Sequence, residues 1–262
     1  MIFGRNKDNP ELTTEETVNP QGATSVRVKL DMSVGSLRLN GGATNLMDAH
    51  FEFNEGMEPR VHYAIHDGRG ELRVDQPSRP RSFNITRNRW DVRLNDNLPL
   101  DLEIDNSAGE AEIDASSLSL TSVELEQAAG QADVRLNGDQ LRLTHIDADV
   151  AAGKLDLQMR GAYPAMRDLR VETSAGQIRL DLTGEWSSEV DIKVDVIAGE
   201  AIVKLPKTAN IIATASTTVG RVRARGLVQE GDRYRLDVPG AAGTLRLKAV
   251  ANVGQIVLEV VD

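Results

Sequence analysis

Apolar and polar residues alternate along most of the chain, and the alternation is organised around glycines that recur at a nearly fixed interval. These glycines are Gly109, Gly130, Gly153, Gly176, Gly199 and Gly220, spaced 21 to 23 residues apart, with two further copies at Gly35 and Gly254. Five positions of each copy are apolar: seven, five and one before the glycine, and two and four after it. All 40 such positions in the eight copies are apolar, against 40% of the whole chain, so chance does not explain the repeat.

The period of two on each side of the glycine predicts two β-strand arms, each with one buried face. Because the apolar positions one before and two after the glycine are three apart, the alternation shifts there by one residue. We expect a bend or bulge at this point, which glycine tolerates because it adopts positive φ. The small residue that precedes most of these glycines, such as Ala152 before Gly153, suits a narrow corner.

Two all-β architectures fit one pair of arms every 21–23 residues. In a β-solenoid, or β-helix-like stack, each repeat forms one coil and equivalent arms pair in parallel. In a hairpin array each glycine reverses the chain and the pairing is antiparallel. We favour the solenoid, because identical arms at a fixed period bury themselves best against their own copies. Loop signals such as Asn137-Gly138-Asp139 mark the second bend of each unit.

This pattern divides the chain into three regions. Residues 1–22 are polar and read as a disordered tail. Residues 23–97 form a less regular β region, including a hairpin that turns at Asp67-Gly68, and we expect this region to cap the stack. Residues 98–262 carry the solenoid repeats.

The last repeat suggests a second property of the chain. Ile256, Leu258 and Val260 alternate almost to residue 262, and no capping pattern follows them. We therefore expect an uncapped strand at this end, which would be a template for pairing with another chain.

Composition narrows the possible functions. The 262 residues include no cysteine, which excludes disulfides, thiolate metal sites and cysteine nucleophiles. A net charge of −10 argues against specific nucleic-acid binding. No stretch reaches the ~18 apolar residues of a membrane span, and residues 1–22 lack the apolar run of a secretory signal. Two expectations are therefore open: the protein is cytoplasmic as written, or an export or anchor segment was removed before this chain was made.

The outward positions of the repeats carry one candidate site. An acidic residue occupies the fourth position before each of five successive glycines. Stacking in register would place these five residues in one column. They are Asp105, Glu126, Asp149, Glu172 and Asp195. The simpler interpretation is a solubilising face. The sharper hypothesis is a weak Ca²⁺ or cationic-ligand surface, since hard cations bridge oxygen ligands.

The sequence offers no credible catalytic site and implies no cofactor. The four histidines lack a surrounding frame of metal ligands, and no nucleophile elbow, phosphate loop or dinucleotide fingerprint occurs. They are His50, His62, His66 and His145. We therefore predict that the protein is not an enzyme.

Charge is also segregated along the chain. Residues 101–156 hold 13 acidic against three basic residues, whereas residues 220–248 hold seven basic against three acidic residues. Five arginines lie within residues 79–93: Arg79, Arg81, Arg87, Arg89 and Arg93. One interpretation of these arginines is a solvated linker. The other is an anionic contact, with another subunit's acidic coils or with a polyanion.

Three stretches carry a resemblance to a known family. VRVKLDMSVGSLRLNGGATNLMDAHFEFNE and RVHYAIHDGRGELRVDQP resemble the N-terminal part of bacterial toast-rack proteins, and LPLDLEIDNSAGEAEIDASSLSLTSVELEQAAGQADVRL resembles the repeat region that follows. The resemblance covers roughly residues 23 to 262 and implies a β-solenoid-like domain, often described as an adhesin. It also implies an association with envelope stress modules of the Lia and phage-shock types, and hence a location at the cell envelope. The family has no established catalytic residues.

Three functions remain open at this point. The first is a non-enzymatic binding or scaffold module that presents its flat surface to a protein or polyanionic envelope partner. The second is a structural protein whose copies join end to end into filaments. The third, an enzyme acting on an extended polymer, lacks a convergent acid pair. We favour the first, mostly on the resemblance.

Overall fold

The computed structural model describes residues 11–77 and 87–261, and across them the protein is all-β, as the sequence predicts. The sixteen strands are β1 (Glu11–Val18), β2 (Ser25–Met32), β3 (Gly35–Asn40), β4 (Met47–Asn54), β5 (Arg60–His66), β6 (Arg69–Asp75), β7 (Asn88–Leu94), β8 (Leu100–Asp114), β9 (Leu120–Arg135), β10 (His145–Gln158), β11 (Asp168–Asp181), β12 (Glu189–Pro206), β13 (Asn210–Arg225), β14 (Val228–Glu230), β15 (Arg233–Leu236) and β16 (Thr244–Val261).

The strands form one open sheet. Its long strands each have a part before the recurring glycine and a part after it, and these two halves of the sheet continue into different strands at the N-terminal end. Seven long strands run through both halves in the order β8-β9-β10-β11-β12-β16-β13, each neighbour parallel to the last. We call the part of each long strand before its glycine the first arm and the part after it the second arm. Beyond β8 the first arms continue through β2, β6 and β5, and the second arms through β3, β7, β4 and β1. The pairing of the long strands is parallel, unlike that of a hairpin array.

The recurring glycines lie beside one another in the sheet. Gly130 pairs with Gly109 on one side and with Gly153 on the other, and the same register continues to the last strands. Gly153 has a φ of +141°, and a Cβ placed on it would lie 2.9 Å from the carbonyl carbon of Gly130 and closer still to its oxygen. Glycine is required here both for the backbone conformation and for the close approach of the neighbouring strand.

The buried faces of the two arms are arranged differently from our expectation at one position. The alanine just before the glycine was expected to face inward, but Ala129, Ala152 and Ala175 are exposed. The last inward residue of the first arm lies three positions before the glycine, as Val150 and Val196 do. The shift by one residue is therefore present, but it occurs over two exposed residues and leaves a ridge of small side chains along the outside.

The segments that join one second arm to the next first arm close the remaining side of the core. They contribute fully buried residues, including Leu143, Met159 and Tyr163. The ring of Tyr163 stacks on Trp186 with 4.8 Å between centroids, and its hydroxyl donates a hydrogen bond to the carbonyl of Leu136. Small aliphatic residues thus form the core between the two arms, and the larger side chains fill the third side.

The N-terminal region caps one end of this core. β5 and β6 form an antiparallel hairpin that turns at Asp67 and Gly68, both with positive φ. Phe51 on β4 packs edge-on against Trp90 on β7 at 5.5 Å. Residues 11–18 belong to this cap as β1, paired antiparallel with β4, so the predicted disordered tail is wrong for this stretch. Residues 1–10 lie outside the described residues. The strand was missed because its sequence, ELTTEETV, has almost no apolar alternation.

The other end of the sheet also differs from prediction. β16, expected to be an uncapped terminal strand, lies between β12 and β13 and pairs with both along its length. Leu258 is fully buried there. The outermost long strand is instead β13, whose first arm is covered by the β15–β14 hairpin. Among the described residues, no strand pairs with the outer side of its second arm.

Candidate functional site

The acidic column predicted from the sequence lies on the outward face of the first arms. Asp105, Glu126, Asp149, Glu172 and Asp195 pair with one another in that order across β8 to β12. Their spacing is therefore that of neighbouring strands, ~4.8 Å between backbones. Asp31 on β2 extends the column at the N-terminal end, because it pairs with Asp105.

Basic residues neutralise one end of the column. Arg170 Nη2 lies 2.9 Å from Glu172 Oε1, and Lys193 Nζ lies 3.1 Å from the same oxygen. The hydrogen bond from Arg170, with a further one from Lys193, lowers the pKa of Glu172 to about 2 against the opposing effect of burial. Lys193 also contacts Asp195 at 2.6 Å. These two acids are therefore held in a fixed ion-pair network.

The middle of the column is not neutralised, whereas Asp31 at its other end lies 3.4 Å from Arg73 Nη2. Asp105, Glu126 and Asp149 form no ion pair with any residue that the structure describes. Two further acids of the next outward row, Glu124 and Asp147, lie beside them, since Glu124 pairs with Asp147. Within residues 11–77 and 87–261, no three acidic or histidine side chains converge tightly enough to hold a metal ion. The arrangement is a field of negative charge over β8 to β10, and the Ca²⁺ hypothesis stays a prediction.

A groove of about 600 Å³ lies over the first arms of β10, β11, β12, β16 and β13. Two rows of charged side chains line it, and adjacent carboxylates in the first row lie beside adjacent basic residues in the second. One row runs His145, Asp168, Asp191, Arg246, and the other runs Asp147, Arg170, Lys193, Lys248. At its far end the apolar side chain of Ile212 is partly exposed. We call this feature the charged groove.

Internal contacts fix some of the groove's charges and leave others available. His145 Nδ1 lies 3.6 Å from Asp168 Oδ2, and Arg246 Nε lies 2.7 Å from Glu189 Oε1. Lys248 has no ion pair among the described residues. The sequence alone did not reveal this groove, because Arg246 and Lys248 reach it only through the insertion of β16 beside β12.

The remaining candidate residues are dispersed. His62 and His66 lie on one face of β5 four residues apart, about 13 Å along a strand, so they share no ligand. His50 lies on β4. Of the five arginines, Arg79 and Arg81 lie outside the described residues. Arg87 forms ion pairs with Glu52 at 2.7 Å and Glu11 at 3.0 Å, whereas Arg89 and Arg93 lie on β7.

Taken together, the described residues define an all-β repeat protein with an open sheet and an extended, charged outward face. The chain belongs to the toast-rack family: the model of the N-terminal domain of toast_rack, DUF2154, matches residues 6–158, more than half of its length. The resemblance seen in the sequence is thereby confirmed.

A solved structure with a TM-score of 0.50 shows the same fold. A predicted cell adhesion protein from Clostridium sporogenes is 24% identical, with a TM-score of 0.50, and the match covers 96% of this chain and all of that one. A predicted adhesin from Parabacteroides distasonis is 12% identical with a TM-score of 0.43, covering 97% of this chain and 98% of that one. No functionally curated protein sequence matches the chain. The described part of the chain contains no helix able to cross a membrane.

Proposed function

We propose that the protein is a non-enzymatic binding module of the adhesin type, which uses the charged groove to contact a protein partner at the cell envelope. The single observation that carries this proposal is the groove itself, where carboxylates in one row lie beside basic side chains in the next, on a sheet held by a continuous core. We further propose that the sheet acts as a β-solenoid of 21–23-residue repeats, whose rigidity preorganises the groove for binding.

The pattern of charge in the groove favours a protein over a uniform polyanion. The basic row runs Arg170, Lys193, Lys248. Asp168 and Asp191 form the adjacent row on β11 and β12, so a polyanion bound along the basic row would also lie beside repulsive carboxylates. Arg170 is moreover already held by a carboxylate of its own chain. A protein surface carrying both signs can complement the rows without breaking these contacts. The exposed apolar side chain of Ile212 adds a small area for a hydrophobic anchor.

Two further considerations support a binding role without catalysis. The carboxylates of the groove and of the acidic column lie in extended rows, whereas acid–base catalysis needs a pair focused on one point. The C. sporogenes relative is described as a predicted cell adhesion protein. The envelope-stress connection and the envelope location are expectations of the family resemblance, and they form part of the proposal.

The test is the binding of fluorescently labelled protein to cell envelopes isolated from the source bacterium. Lys248→Glu changes the groove at a residue with no described ion pair. Arg179→Glu makes the same charge change in the second arm of β11, outside the groove. We expect Lys248→Glu to raise the apparent Kd at least tenfold, about 1.4 kcal/mol, and Arg179→Glu to change it less than twofold.

Treatment of the envelopes separates the classes of partner. Protease digestion should abolish binding if the partner is a protein, whereas digestion of the glycan should leave it intact. Binding that survives the protease, or an equal loss in both variants, would contradict the proposed partner and the proposed surface respectively.

A further inference from the structure

The free edges of the sheet carry opposite charges. At one end, the second arm of β13 presents Arg221, Arg223 and Arg225 on its exposed face and no acidic residue. At the other end of the same row of second arms, β1 contains three glutamates and no basic residue. Because β1 and the second arm of β13 each pair on only one side among the described residues, both edges offer unpaired backbone groups.

The exposed side chains of both edges point the same way relative to the core. In β13, Arg221 and Arg223 are exposed, whereas Val222 between them is half-buried. In β1, Glu15 pairs with the exposed His50, whereas Leu12 pairs with the buried Phe53. Glu11 shares the outer side with Glu15, whereas Glu16 pairs with the buried Ala49 and lies on the inner side. Pairing the two edges would therefore bring the arginines beside the two outer glutamates, with Leu12 of β1 on the same inner side as Val222.

The two strands also match in direction, and β1 is long enough to cover the second arm of β13. β1 runs antiparallel to β4, which runs antiparallel to β7, and β7 is parallel to the long strands. β1 and β13 therefore point the same way. β1 has eight residues and the second arm of β13 has five, from Arg221 to Arg225, so β1 is long enough to pair along all of it. A second copy stacked head to tail would continue the sheet with a parallel pair.

We propose that the second arm of β13 is a self-association site that receives β1 of a second copy of this chain, with arginines facing glutamates. The charges exclude the symmetric alternatives. Two β13 edges would place arginines opposite arginines, and two β1 edges would place glutamates opposite glutamates. A head-to-tail contact does not close on itself, so it generates a filament. This proposal does not depend on the charged groove and replaces the expected role of β16 in assembly.

The structure gives the repeat length of such a filament. The row of second arms contains eleven strands, from β1 to β13. At ~4.8 Å per strand, each copy would add roughly 53 Å along the axis. Light scattering across a concentration series should show mass rising with protein concentration. Negative-stain electron microscopy of the same samples should show filaments with that axial repeat.

Charge-reversal variants test the pairing itself. We expect Arg221→Glu with Arg223→Glu to lower the association constant at least tenfold, and Glu15→Arg to lower it in the same direction. Arg179→Glu is the control, since Arg179 lies three residues after the glycine of β11, as Arg223 does after that of β13. Mixing the double variant with Glu15→Arg should restore association, because each edge then finds an opposite charge. Restoration also shows that both variants are folded.

A cysteine cross-link provides a second measurement. The native chain has no cysteine, so Glu15→Cys combined with Arg223→Cys would introduce the only two thiols. The two strands lie ten strand spacings apart within one copy, about 48 Å, so any disulfide must join two copies. We expect a ladder of covalent oligomers on a non-reducing gel. The matched pair Glu15→Cys with Arg179→Cys should give none.

The outcomes that overturn the proposal are specific. A wild-type protein that stays monomeric up to millimolar concentration would show that the arginines prevent the second arm of β13 from pairing with another chain, and it would overturn the proposal. A loss of association in Arg179→Glu equal to that in the double variant, or mixed variants that do not associate, would show that β13 and β1 are not the contacting strands.

Discussion

Replacement of Gly153 by alanine tests the packing of the sheet most directly. The new Cβ would lie 2.9 Å from the carbonyl carbon of Gly130 and closer to its oxygen, in a residue whose φ is +141°. An L-residue held at such a φ costs about 1–3 kcal/mol. The neighbouring strand must also move outward, and each ladder hydrogen bond weakened by that shift costs about 1 kcal/mol. We expect the free energy of unfolding to fall by about 3–5 kcal/mol.

Urea denaturation followed by circular dichroism measures this change, and the same loss corresponds to a fall in Tm of roughly 10 °C. Gly22→Ala is the matched control. Gly22 also has positive φ, +86°, but a Cβ on it would meet nothing within 4 Å. It therefore isolates the conformational part of the cost. If Gly153→Ala is no more destabilising than Gly22→Ala, the close approach of neighbouring strands is not what requires the glycine, and the reasoning is refuted.

Three other predictions follow from the buried and ion-paired residues. Leu258→Ala should destabilise the protein by about 2–5 kcal/mol in urea denaturation, because β16 is internal; a loss below 1 kcal/mol would mean that this strand lies at an edge. Tyr163→Phe should cost about 1–3 kcal/mol, since it leaves the buried carbonyl of Leu136 without its donor, and an unchanged midpoint would contradict this hydrogen bond. The folded pKa of Glu172 is about 2 against 4.5 ordinarily, so its contribution to stability is present above pH 4.5 and is lost as the pH falls towards 2. Glu172→Gln should therefore be less stable than wild type at pH 7 but equal to it near pH 2, and a constant difference across this range would contradict the ion pairs.

The sequence predicted those parts of the fold in which neighbours in the chain are neighbours in the sheet. Strands β8 to β12 follow one another at a fixed interval, so the register of Gly109 with Gly130, and with it the acidic column, follows from the spacing alone. Hydrophobicity could not show that Ala152 is exposed. A small apolar residue fits both sides of a sheet, and only the backbone conformation at the glycine determines its side.

The position of β16 could not be predicted from local pattern. The repeats around Gly220 and Gly254 have equivalent apolar positions, so either strand could pair with β12 by this criterion. The segment of residues 226–243 between them permits β16 to cross back over β13 and take the position beside β12. The charged groove depends on this choice, because Arg246 and Lys248 stand beside Asp191 and Lys193 only when β16 is the neighbour. Residues more than 50 positions apart thus form one surface.

The insertion of β16 between β12 and β13 also constrains the order in which the protein can be made. During synthesis, β13 leaves the ribosome before β16, yet its final neighbour on the core side does not exist until residues 244–261 have emerged. A nascent chain can therefore complete the sheet through β12 one strand at a time, with each new coil adding to the last. The final step is different in kind, since β13 must remain displaced, or be released from β12, to admit the later strand. We expect this non-local step to be the slowest in folding, and stalled or truncated chains to expose the edge of β12 to other molecules.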